Sequence, residues 1–129
     1  MAFGGIRGIV FSLRATTNFS NNQYKAVTAS TAEEYMVLSG TTASIKPVGI
    51  LQDNPRLGEA GQIWLSPCIT KVVAGSTLTC GKNCYFRGDG LAYSTGTINT
   101  GDAIYGPLLM SAASSGLYVP LIFNFVDIA

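Results

Sequence analysis

The apolar residues of this chain come in short bursts, and no stretch sustains a helical period. Segments such as GIVFSL, GILQ, QIWL and YVPLIF are rich in Val, Ile, Tyr and Phe, with Gly, Asn, Asp, Ser or Pro between them. An amphipathic helix needs apolar residues three and four apart over ten or more positions. A strand needs only a short apolar or alternating run bounded by turn residues. Fifteen glycines and five prolines, spread from end to end, break the chain too often for anything longer. The pattern is that of an all-β sandwich or barrel with short loops and little helix. Strands are expected over 6–13, 23–29, 35–39, 48–52, 62–65, 69–74, 85–86, 91–93, 104–110 and 118–125. The spacing of Thr31 and Glu34 suits a capping box, but Gly40 follows too soon for a proper helix. A turn at 31–34 feeding a strand is the better reading.

A length of 129 residues fits a single domain. A chain of this size buries roughly two thirds of its unfolded surface, enough for a core without staples. Charged residues make up only 12% of the chain, against about 25% in an average soluble domain. Such a charge-poor surface suits a protein partly covered by a partner, or a compact β protein with a Ser/Thr/Asn exterior. The net charge is +1 and the basic residues stand singly, so no basic stripe marks a nucleic-acid interface. Histidine is absent, which removes the commonest general base and zinc ligand. The apolar run at 8–13 is too short for a signal-peptide core, and the run at 117–126 is too short to span a membrane. A chain made inside the cell, with no removed segment and no membrane partner, is expected.

Few constellations carry chemistry. Cys80 and Cys84 flank a Gly-Lys-Asn turn and Cys68 lies apart. Three thiolates fall short of a structural zinc set, and an odd count argues against a disulfide framework. Reduced, buried, structural thiols are expected, with no metal and no cofactor. Arg87-Gly-Asp-Gly90 contains an integrin-type tripeptide, but Asp-Gly between two β runs is first of all a hairpin signal. Asp53 and Glu59 flank one loop with Arg56 between them. They are the best acid/base pair in the chain, yet no nucleophile or oxyanion motif accompanies them, so no enzyme is expected. Pro67 breaks the long strand after QIWLS and implies an edge or a bulge. The odd positions Ile63, Leu65, Ile69 and Val73 are expected to share a core face, which turns Trp64 towards a second layer or a partner.

Three segments together resemble one family. They are LRATTNFSNNQYKAVTAS at 13–30, PVGILQDNPRLGEAGQIWLSPCITKVVAG at 47–75, and GDAIYGPLLMSAASSGLYVPLIF at 101–123. Their order resembles the small capsid decoration, or cement, proteins of tailed phages. Residues 79–95 depart from that pattern. The resemblance implies a small single-domain β-barrel or β-tulip-like fold and a structural role on the virion. The protein would bind the outer surface of the assembled icosahedral head and stabilise contacts between major capsid subunits. Its partners would be the major capsid protein and itself, as a trimer in preference to a dimer. Residues 1–8 are expected to form an N-terminal arm and 9–129 the β domain. Candidate contacts with capsid or protomer are Phe3, Ile6 and Arg7 in the arm, Asp53, Arg56 and Glu59 in the charged loop, Trp64, and Phe125 and Ile128 in the tail. Another phage structural subunit, of tail or head completion, or a sugar- or nucleic-acid-binding module using Trp64 and exposed tyrosines, are the alternatives.

Overall fold

The computed structural model describes residues 8–39 and 46–129. The fold is nearly all β, as expected. Its strands are β1 (Val10–Ala15), β2 (Ala26–Ala29), β3 (Tyr35–Leu38), β4 (Gly49–Leu51), β5 (Ala60–Leu65), β6 (Cys68–Val73), β7 (Cys84–Phe86), β8 (Ala92–Ser94), β9 (Ala103–Tyr105), β10 (Tyr118–Phe123) and β11 (Phe125–Ile128). A 3-10 turn, Thr95–Thr97, follows β8. Residues 31–34 form a turn leading into β3, not a helix.

The first five strands close a barrel in the order β1-β3-β2-β4-β5, with β1 and β5 completing the circle. The closure is uneven. β1 and β5 pair over five residues, Val10↔Trp64 to Arg14↔Ala60. β1 and β3 run parallel and pair only at Arg14↔Tyr35 and Ala15↔Met36. Strand alternation sorts the side chains. Leu13, Ala15, Val27, Met36, Leu51 and Ile63 fill the barrel with Phe19. Their neighbours Ala26 and Ile50 point outwards into a second, larger core.

That second core lies between the barrel wall and two further sheets. One sheet is the pair β10-β6, and the other runs β11-β9-β7-β8. Its centre is aromatic. Phe123 stacks on Tyr105 with centroids 4.8 Å apart, and both meet Phe86 edge-on. Gly49 shows how closely the strands approach: a Cβ there would lie 2.4 Å from Ile63 Cγ2 and 2.6 Å from the Trp64 carbonyl.

Four expectations are corrected. Pro67 is neither an edge nor a bulge position within one strand. It stands at the corner where the chain leaves the barrel for the β10-β6 sheet. The phase of burial slips at this corner. Ile63 and Val73 are buried, but Leu65 and Ile69 are only half-buried, while Cys68, Thr70 and Val72 face inwards. The strand expected over 104–110 stops at Tyr105, because Gly106 has φ +152 and Pro107 follows. The strand expected over 118–125 divides at Asn124 into β10 and β11, which belong to different sheets.

Candidate functional site

The charged loop between β4 and β5 spends its carboxylates on its own backbone. Both oxygens of Asp53 accept from the Gln62 amide at 3.2 Å, and Glu59 Oε1 accepts from the Arg56 amide at 2.8 Å. The Phe19 amide donates to the Pro55 carbonyl and the Ala15 amide to that of Glu59, so the loop is tied to β1 and the segment after it. The acid/base candidates therefore act as turn supports. What the loop offers outwards is its tip, where Arg56 is exposed and Leu57 is 68% exposed.

Trp64 turns into the second layer, which belongs to this same chain. It is half-buried against the second core, and its Nε1 is buried without a hydrogen-bond partner among the described residues. Phe125 and Ile128 lie on β11, where all four residues are exposed. Phe125 packs edge-on to Tyr105 at 6.2 Å, with the Lys46 amine 5.6 Å from its ring centroid. β11 is the edge of its sheet and carries a register shift between Phe125 and Asp127. Phe3, Ile6 and Arg7 lie outside the described residues, as does the arm apart from Gly8. The candidates thus fall on separate surfaces: the loop tip at Arg56, the β11 edge, and the interior for Trp64.

The Arg-Gly-Asp segment is a hairpin turn. Gly90 takes φ +76, and its amide donates to the Arg87 carbonyl at 2.8 Å. Asp89 accepts from the Leu91 amide and the Tyr93 hydroxyl. That hydrogen bond, in which the neutral phenol donates, is the main cause of the upward shift of the Tyr93 pKa. Arg87 lies 4.1 Å over the Tyr93 ring and donates to the Tyr85 hydroxyl at 2.7 Å. Both charged groups of the tripeptide are engaged within the hairpin. Sequence reasoning anticipated the turn but not this knot of Tyr85, Arg87, Asp89, Tyr93 and Thr97.

The cysteines are free and divide by environment. Burial pushes the Cys68 thiol up to about 11 and that of Cys84 up to about 12. Cys80 departs from the expectation of burial: it is exposed, with its thiol 3.3 Å from the Leu109 carbonyl. Native protein at pH 8 is therefore expected to react with iodoacetamide at Cys80 alone. All three cysteines should react after denaturation, because only thiolates alkylate. Intact-mass measurement reads the difference, and rapid native labelling of Cys84 would contradict the burial. Among the described residues, no group of three or more Cys, Asp or Glu gathers in a metal-holding arrangement. None of the described helices is long and apolar enough to cross a membrane.

A groove of about 440 Å³ lies beside the weakly closed seam of the barrel, lined by Phe11, Ser12, Leu13, Arg14, Glu34 and Ala60. The sequence carries no signal for it, because it exists only through the register of β1 against β3.

No family model matches the chain, and no curated protein matches it. Among solved structures, the chain is similar to the head fiber gp8.5 N base in bacteriophage phi29, with a TM-score of 0.69 at 20% identity. The likeness covers 92% of this chain and 98% of that one, so the two share a fold over most of their lengths.

Proposed function

We propose that this protein is a structural component of a phage head, one that docks on the outer surface of the assembled shell and strengthens the joints between major capsid subunits. The observation that carries this reading is the end-to-end likeness in fold to a phage head fiber base. The segments at 13–30, 47–75 and 101–123, which resemble capsid decoration proteins, support it from the sequence side. The surface agrees: large apolar side chains, among them Ile9, Leu57, Phe125, Val126 and Ile128, stand at 40–71% exposure on a chain with few charges. The protein acts by binding and not by turnover, with no cofactor, nucleic acid or membrane, and associates with itself as a trimer.

The mechanism is mass action. A ligand that binds only the assembled shell stabilises it by RT ln(1 + [L]/Kd), about 2.7 kcal/mol per site at a hundredfold excess over Kd. Repetition around symmetry axes multiplies the effect. The test uses heads assembled from a genome lacking this reading frame. Purified protein is expected to sediment with them at a copy number comparable to that of the capsid subunits, and to raise their resistance to heat and chelator. Failure to sediment with heads would overturn the reading. The likeness to a head fiber base favours a second arrangement, a base that seats a fiber on the head, and a copy number far below that of the capsid subunits would select it.

A further inference from the structure

We infer that the open edge of β1 is a strand-acceptor site, taking an extended segment of a capsid subunit as an added β-strand. The hydrogen-bond phase of β1 locates the edge. The Leu65 amide donates to the Ile9 carbonyl and the Ala15 amide to the Glu59 carbonyl. In an antiparallel pair such bonded positions recur every second residue. Ile9, Phe11, Leu13 and Ala15 therefore direct their backbone groups at β5, and Val10, Ser12 and Arg14 direct theirs at the opposite side. On that side Arg14 is served, since its amide donates to the Glu34 carbonyl at 2.7 Å. Val10 and Ser12 have no backbone partner there among the described residues, because β3 begins only opposite Arg14.

The gap is built into the fold. Glu34 holds φ +67, a conformation that L-residues with side chains adopt sparingly. This left-handed residue swings the chain out of line with β3 at the point where it would otherwise have covered Ser12. What remains is a groove whose donors and acceptors, spaced as in a strand, are unpaired among the described residues, with Phe11 at 48% exposure beside buried Leu13. Backbone groups at two-residue spacing select an extended polypeptide, and the apolar floor selects a segment that puts an apolar side chain inwards. Arg14 and Glu34, both exposed in the groove wall, suit polar residues of either sign at the neighbouring outward positions. Such an edge, left bare, is an aggregation hazard, which a shell-bound protein removes by docking.

The identity of the partner rests on the head-binding reading. The probe is the same head preparation, challenged with wild type, Ser12→Pro and Phe11→Asp. Proline at Ser12 removes the outward amide and obstructs the added strand, and an edge position tolerates it. Both variants are expected to keep the wild-type circular-dichroism spectrum and a cooperative unfolding transition, and to lose at least tenfold in affinity for heads. Hydrogen exchange at the Val10 and Ser12 amides should be fast in the isolated protein and slow on heads. Folded variants that bind heads like wild type would overturn the strand-acceptor site and leave the head-binding reading standing. Wild-type protein that fails to bind heads overturns both. Protection of these amides already in the isolated protein would show the edge filled by this chain or a second copy, and would also overturn the proposal. Should either variant unfold, the exchange comparison on wild-type protein decides alone.

Discussion

Replacing Phe123 with Ala is expected to cost about 3–5 kcal/mol of folding stability, the range for truncating a buried aromatic in a close-packed core. Phe123 is fully buried, stacks on Tyr105 at 4.8 Å and meets Phe86 at 5.9 Å. Such aromatic pairs contribute roughly 0.5–1.5 kcal/mol beyond their buried area. Position matters as much as size. β10 pairs with β6, while Tyr105 belongs to β9 and Phe86 to β7, so this ring joins the two outer sheets over the barrel wall. Urea unfolding should show a lower midpoint with an unchanged slope. Ile122→Ala, one residue earlier and half-buried, is the control and should lose clearly less. A loss at Phe123 no larger than at Ile122 would mean that the outer sheets are not held together by this cluster.

The class of fold was legible because strand patterning is local. GIL at 49–51, the turn after it and the hairpin at 84–94 each follow from residues a few positions apart. What was not legible depends on how distant segments meet. Nothing near Pro67 says that the chain changes sheets there, so the odd-position face was carried across a corner where the phase slips. The stop at Tyr105 was signalled by Gly106–Pro107, and the apolar run beyond it hid the signal. The positive φ of Tyr24 and Glu34 left no trace in residue type, yet Tyr24 delays β2 to Ala26 and Glu34 opens the seam of the barrel.

The candidate site was less legible than the fold, for a chemical reason. Catalytic sites concentrate rare residue types, whereas a docking surface is made of ordinary ones. Asp53 and Glu59 drew attention as charges in a charge-poor chain, and their carboxylates turned out to hold the loop. The odd-position face turns Trp64 towards a second layer or a partner, and it packs against the chain's own second core. Phe125 and Ile128 are exposed, and their place on a sheet edge follows from topology and not from composition. Val10 and Ser12, whose backbones define the open edge, carry side chains that no sequence argument would single out.

Alkaline pH should unfold this protein more readily than its composition suggests. Burial pushes Cys84 from 9.0 up to about 12 and Cys68 from 9.0 up to about 11. Tyr105 rises from 10.0 to about 12, first through burial and then through the neighbouring Cys84. All three are acids whose neutral form the fold prefers. The native state therefore keeps protons that the unfolded chain has already released. Where the native state binds more protons, stability falls as pH rises. The protons cost nothing below pH 9, and stability declines between pH 9 and 12 as the unfolded chain ionises first. For Cys84 alone, at about 1.4 kcal/mol per unit, the loss near pH 12 is on the order of several kcal/mol. Denaturation midpoints measured from pH 7 to 11.5 should stay level to about pH 9 and then drop steeply. Cys84→Ala removes one of the three groups and relieves Tyr105 of its acidic neighbour. Its stability at neutral pH should be lower, because a buried sulfur is gone, but its decline above pH 9 should be visibly shallower. Parallel curves for the variant and wild type would show that Cys84 does not hold its proton against the core.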